Sequence, residues 1–219
     1  MEKYKIYVFL LLILFISGFY YVTAKEVNTD LLGRVIYIDP GHGGLDPGAM
    51  YKDIYEKDIN LSISLKLQEA LGREGAIVYL TRYGDYDLSV KNAINRKRSD
   101  LFMRSKEIND SDCDMFLSIH LNSDPSNTWH GAQVFYNDKN PKNKQIAKLF
   151  QDSFKKYLYS NRKYKKDNTL YLQRKVNRPG VLLEVGFISN PNDRYKLRQN
   201  YYQDKIVNTI VMSLKEYYK

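Results

Sequence analysis

Two histidines and two glutamates, His42, His120, Glu56 and Glu184, have the types and placement that suit a hydrolytic metal site in this 219-residue chain. Zinc takes imidazole nitrogen and carboxylate oxygen, and a catalytic zinc site keeps three protein ligands with a further position open. His42, Glu56 and His120 would supply such a set. The ion lowers the pKa of a bound water to about 7 and polarises a carbonyl. Glu184, outside the ligand set, would take the water's proton and pass it to a leaving nitrogen. The four do not form a local motif of the His-Glu-x-x-His kind. Bland alternatives therefore stand beside two of them: a turn histidine for His42, and for Glu56 a first-turn acid favoured by the helix dipole. The third histidine, His130, follows Trp129 in a loop and reads as a surface residue. A single cysteine, Cys113, excludes both an intramolecular disulfide and a cysteine-based zinc cage. Any metal must rest on His and carboxylates.

The elements that must position these residues are apolar runs that stop beside them. Val35-Ile36-Tyr37-Ile38 reads as a buried strand ended by Asp39-Pro40-Gly41-His42-Gly43-Gly44, a turn whose glycines leave room beside an imidazole. Asp114 to His120 repeats that design, and Val181 to Phe187 carries Glu184 in a third apolar strand. In open α/β sheets the loops beyond the C-terminal strand ends diverge and leave a crevice, so the four side chains are expected at one rim. Ala76–Leu80 and Gly131–Tyr136 predict further strands, and Leu170–Leu172 a short one. Ile59–Leu71 alternates as a strand would. Its length, its Lys, Gln, Glu and Ala, and the glycines at 72 and 75 nevertheless predict a helix, with Glu56 just before or within its first turn. Leu101–Ile108, Pro141–Tyr159 and Gln203–Tyr217 predict further helices. Tyr83–Ser99 is polar and irregular, its Arg96-Lys97-Arg98 cluster reading as a solvated patch, and Ser160–Asp167 reads as a mobile basic loop. The alternation predicts a single α/β domain with a mostly parallel sheet and helices on both faces.

The formal charge of +9 favours an anionic partner, whether nucleic acid, a membrane surface or a wall polymer. Lys3 and Lys5 precede an almost unbroken apolar run from Ile6 to Val22, the charge pattern of a secretion signal or an uncleaved membrane anchor. Ala24 offers a cleavage point, and the run lies at the lower length limit for spanning. The chain accordingly divides into an export or anchor segment (1–24), a linker (25–33) and one globular domain (34–219). That domain is expected to work outside the cytoplasmic membrane. Export, and the lack of any recognisable recognition element, argue against nucleic-acid binding.

Four stretches then carry a resemblance: Asp39-Pro40-Gly41-His42-Gly43-Gly44, Glu56-Lys57-Asp58-Ile59-Asn60, Ser118-Ile119-His120-Leu121-Asn122-Ser123, and Leu183-Glu184-Val185-Gly186-Phe187-Ile188-Ser189-Asn190-Pro191. In order and spacing they resemble the signature blocks of the zinc-dependent N-acetylmuramoyl-L-alanine amidases, from Val35 to the final helix. The polar insertion before Arg104 and the stretch from Ile119 to Gln133 are most similar to the germination-specific amidases of spore cortex. The resemblance implies Zn2+ held by His42, Glu56 and His120 at the C-terminal strand edge, with Glu184 as catalytic acid and base. It implies a sheet of about six strands flanked by helices. It also implies cleavage of the amide between N-acetylmuramic acid and the L-alanine of the peptidoglycan stem peptide, on the route to muramic δ-lactam. Arg104 and Asn109 match a further Arg and Asn of the family, with a structural or substrate-positioning role. Asn122 and Arg104 are assigned to substrate binding. No wall-binding repeat follows the final helix, so location is expected to come from the N-terminal segment at the membrane, from surface charge, or from an accessory sporulation protein. The alternative is a non-catalytic peptidoglycan-binding module that retains a metal site; an intact Glu184 argues against it, since a binding module gains nothing from an unpaired acid in a cleft.

Overall fold

The computed structural model describes residues 2–23 and 30–219. The cleavage point after Ala24 and most of the 25–33 linker lie outside the described residues. The elements, in chain order, are α1 (Glu2–Thr23), β1 (Val35–Pro40), β2 (Met50–Tyr51), β3 (Ile54–Tyr55), α2 (Glu56–Arg73), β4 (Ile77–Leu80), α3 (Arg96–Asp110) and β5 (Met115–Asn122). They continue with β6 (Gln133–Tyr136), α4 (Asn143–Leu158), β7 (Lys165–Lys166), α5 (Tyr171–Lys175), β8 (Gly180–Phe187), α6 (Pro191–Leu197) and α7 (Asn200–Tyr218). The apolar N-terminal run forms α1, with Ile6 to Phe15 exposed. Among the described residues no helix is long and apolar enough to cross a membrane.

The central sheet has six strands in the order β4-β1-β5-β8-β6-β7. The pairings β1–β4, β1–β5, β5–β8 and β6–β7 are parallel, and β6–β8 is antiparallel. β1, β5 and β8 are buried almost throughout, which is why they read as apolar runs rather than alternating ones: helices cover both of their faces. On one face Ile36, Ile38, Leu117, Ile119, Val181 and Leu183 meet α2, α4 and α7 in the larger core. On the other, Tyr37 and Phe116 pack with Ile108, Cys113, Leu172 and Val176 beneath α3 and α5. The helical reading of Ile59–Leu71 holds because Ile59, Ile63, Leu67, Ala70 and Leu71 fall on one buried stripe, while Leu65, on the alternation, is exposed.

Several boundaries differ from the sequence reading: α3 starts at Arg96, inside the stretch read as irregular, because Asn95 caps it by accepting from Arg98 N. Leu31, placed in the linker, is buried in the larger core, and Gly33 N donates to Gly75 O, so the domain starts before Arg34. Leu170–Leu172 is not a strand: Leu172 lies within the short helix α5 and fills the smaller core. The edge strand is instead Lys165–Lys166, inside the stretch read as a mobile loop, which pairs with Phe135 and Tyr136. Edge pairing is made by backbone groups, so a polar dipeptide can join a sheet with no apolar signal to announce it.

Candidate functional site

The loop after β1 places His42 in the left-handed backbone region at φ 63°, costly for a residue with a side chain. Mutual bonds between Gly43 and Asp46 close the turn, and Gly41 N donates to Ile119 O. Two fully buried arginines hold its carbonyls. Arg82 donates from Nε to Pro40 O at 2.9 Å and from Nη2 to Gly41 O at 3.0 Å and Lys57 O at 2.8 Å. Arg104 donates from Nη1 to Pro40 O and from Nη2 to His42 O, at 2.8 and 2.7 Å. Its charge is met by Asp39 and Asp100 at 2.8 and 2.9 Å. Burial pushes the Asp39 carboxyl up, but the Arg104 charge and hydrogen bonds from Ser118 and Thr81 outweigh it and hold the group low.

Glu56 opens α2 and is 3% exposed. Its Oε2 accepts from Ala49 N at 2.8 Å, and its Oε1 from Leu121 N at 2.9 Å and Asn60 Nδ2 at 3.2 Å. The same Oε1 lies 3.2 Å from His42 Nε2 and 3.0 Å from His120 Nδ1. Ligand atoms of His42, Glu56 and His120 lie within 4.8 Å of one another, a group that can hold a metal ion. A tetrahedral ion with ligands at about 2.0–2.2 Å separates them by roughly 3.4 Å, so two imidazoles and a carboxylate at these spacings fit zinc. The two rings meet edge to face at 4.9 Å. The His120 ring lies so close to Gly41 that a Cβ there would come within 2.2 Å of it. Gly48 is similarly pressed against His42 and Glu56. His42 Nδ1 faces Asp46 Oδ2 at 2.9 Å, and Lys97 Nζ reaches the same oxygen at 3.2 Å. Burial pulls the His42 imidazole down, yet its hydrogen bonds to Asp46 and Glu56 push it up to about 9. Burial also raises Glu56, and the bonds to His120 and His42 drive it well below the carboxylate range instead.

Glu184 stands directly beside His120 across the β5–β8 ladder, and beside Gln133 across β8–β6. Paired positions in a ladder project to the same face, so the three form a row. Glu184 Oε2 is buried and meets no hydrogen-bond donor among the described residues. Burial, then repulsion from the Glu56 charge, push the carboxyl up to about 8. A register shift follows His120, after which Asn122 pairs with Phe187. Such irregularities re-aim side chains beside sites.

The remaining sequence-predicted residues fall differently. Arg104, assigned to substrate binding, is 1% exposed with its donors committed to the His42 loop, so it supports the site from beneath and does not face a substrate. Asn109 bridges Lys175 O and Asn177 N, joining α3 to the segment before β8. Asn122 is half-buried at the rim; its carbonyl accepts from Ile188 N and its side chain from Ser123 N. His130 is exposed. Lys97, read as part of a solvated patch, touches Asp46. Asp46 and Arg82 join the site from outside the set expected from the sequence. Asp46 had a signal, a carboxylate four residues past His42 in a turn; Arg82, one Arg after a strand, had none.

The N-acetylmuramoyl-L-alanine amidase family model matches residues 36–216. The chain is 40% identical over 198 residues to the germination-specific N-acetylmuramoyl-L-alanine amidase of Bacillus subtilis (strain 168), spanning 89% of this chain and 84% of the relative. It is 30% identical over 198 residues to the amidase LytC of the same organism, spanning 90% of this chain and 38% of that protein. Among solved structures it resembles the CwlD amidase from Clostridioides difficile in complex with the GerS lipoprotein, at TM-score 0.80 and 37% identity over 84% of this chain and 98% of that one. The sheet, the converging His-Glu-His group and the length of the match together place this chain in the N-acetylmuramoyl-L-alanine amidase family.

Proposed function

We propose that the chain hydrolyses the amide joining the lactyl carboxyl of N-acetylmuramic acid to the L-alanine of the peptidoglycan stem peptide, with zinc held by His42, Glu56 and His120 and with Glu184 as acid and base. The observation that carries this reading is the unpartnered, buried Oε2 of Glu184, set one strand from His120. When bound, zinc supplies Lewis acidity, polarising the scissile carbonyl and acidifying water. Glu184 accepts a proton from the attacking water and delivers it to the leaving nitrogen, so the products are a free muramic carboxyl and a free peptide amine. A carboxyl poised near neutrality can both take and return that proton. Asp46 fixes the ring of His42 through Nδ1, and Asp39, Arg104 and Arg82 hold its loop rigid. Asn122, at the rim, contacts substrate.

The likeness to a germination-specific amidase supports action on spore cortex, toward muramic δ-lactam. The similar clostridial amidase was solved with a lipoprotein, which supports an exported accessory protein as partner here. Residues 1–24 serve as the export or anchor segment, and the domain acts outside the cytoplasmic membrane.

Glu184→Ala is expected to retain zinc and to abolish release of peptides from muramic acid, whereas His42→Ala or His120→Ala loses zinc. Metal content and muropeptide mass spectrometry check both. Hydrolysis retained by Glu184→Ala would remove that residue from the mechanism. Cortex from cells lacking the protein is expected to be devoid of muramic δ-lactam.

A further inference from the structure

Beyond Glu184 along the rim stands an arginine that neither the metal site nor the His42 loop uses. Arg162 follows α4, on a segment pinned by Ser160, whose Oγ donates to Ala132 O and accepts from Arg162 N. Its Nε and Nη2 both donate to Gln133 Oε1, at 3.2 and 2.8 Å, while Gln133 Nε2 donates to Lys163 O at 2.8 Å. The guanidinium carbon lies 4.7 Å from the Trp129 ring centroid and 5.4 Å from that of Phe187. The planar cation is thus oriented by an amide that is itself locked, and by two aromatic faces. Among the described residues no carboxylate lies within ion-pair distance of it, and no hydrogen bond leaves its Nη1. Asp124, held low by Ser126 and only weakly by Arg162, sits beyond that distance. A half-buried guanidinium anchored to a neutral acceptor retains its charge for something else.

The order across the rim says what that is. The ligand cluster lies over β1 and β5, Glu184 on β8, and Gln133 with Arg162 over β6, one ladder step further on. If Glu184 protonates the leaving nitrogen, the released peptide begins over β8, and a path toward Trp129 and Arg162 carries it over β6. Neighbouring strands lie about 4.8 Å apart and an extended chain advances about 3.4 Å per residue. On that path the residue after the stem's L-alanine arrives beside Arg162. In peptidoglycan that residue is a glutamate, whose α-carboxyl is either free or amidated.

Resting on the amidase reading above, we infer that Arg162 determines specificity by binding the free α-carboxylate of the acidic residue that follows L-alanine in the stem peptide. Gln133, Trp129 and Phe187 hold the guanidinium in place, and the carboxylate supplies the missing counter-ion. Charge-assisted bonds to a fork of this kind correspond to about a 10- to 100-fold preference for acid over amide.

The test uses two soluble muropeptides that differ only in carboxylate or carboxamide at that position. The zinc-loaded full chain is expected to hydrolyse the acid with at least about tenfold higher kcat/KM, the difference lying mainly in KM. Arg162→Gln is expected to handle the two alike, and Arg162→Lys, which keeps the charge and loses the fork, to fall between. Equal treatment of the two substrates by the unaltered chain overturns the inference while leaving the amidase reading intact, and so does a preference that survives in Arg162→Gln. Hydrolysis of neither substrate by zinc-loaded protein overturns the amidase reading, and the inference with it.

Discussion

A buried carboxylate oxygen with no donor to meet it destabilises the fold around it, and at Glu184 that cost depends on pH. The folded value near 8 lies above the ordinary 4.5, so between these two the folded state holds the proton more tightly than the unfolded one. The stabilisation from that more tightly held proton is fully present below pH ~4.5 and is lost as pH rises through about 8, where the cost of the buried charge is felt in full. Glu184→Gln is therefore expected to stabilise the metal-free protein by on the order of 4 kcal/mol at pH 8–9 and by little at pH 5. Denaturant titration of chelator-stripped protein at the two pH values checks it; an equal gain at both would contradict the assignment of the shift to this group. At His42, which the proposed site uses as a ligand, the relevant contact is Asp46. A carboxylate on the far nitrogen of a metal-binding imidazole fixes its tautomer and orientation, and its loss typically weakens metal affinity 10- to 100-fold. Asp46→Asn is expected to show that loss in competition with a chromophoric chelator, with the fold retained.

At the scale of elements, the His42 loop depends on what lies beneath it. Arg104 spans from α3 to Asp39 on β1 and to the carbonyls of Pro40 and His42. Arg104→Met leaves Asp39 charged, buried and unpaired, so a destabilisation of about 3–5 kcal/mol is expected, with weakened zinc binding. Thermal unfolding and metal titration read these separately. Gly41→Ala tests the other wall. The added methyl would overlap the His120 ring, which must swing away from Glu56. Folding should survive, and hydrolysis should fall by about 100-fold or more, since a displacement near 1 Å at a catalytic group costs that much. The turn signal around Gly41 was plain in the sequence, but what the glycine makes room for was not: His120 lies in a different strand. The misread elements follow the same logic. Leu170-Leu172 is apolar enough for a strand, and only the space left over the smaller core makes it a helix.

For the whole molecule, the charge of +9 bears on association with an anionic wall rather than on chemistry. Hydrolysis of insoluble peptidoglycan is expected to fall several-fold between about 50 and 500 mM salt, and hydrolysis of a small uncharged muropeptide to change little, because screening acts on long-range attraction. Turbidity loss against soluble product release distinguishes the two. The sequence alone determined that apolar strands end in histidines and a glutamate, that the sheet is mostly parallel, and which side chains could ligate a metal, because burial on both faces and backbone turns leave their mark in local residue order. It could not determine that Arg104 lies under the loop rather than in the cleft, that β6 runs antiparallel to β8, or that Arg162, one strand beyond Glu184, forms no ion pair among the described residues. Those facts depend on contacts between residues far apart in the chain, and only packing decides which of many possible partners a buried charge meets.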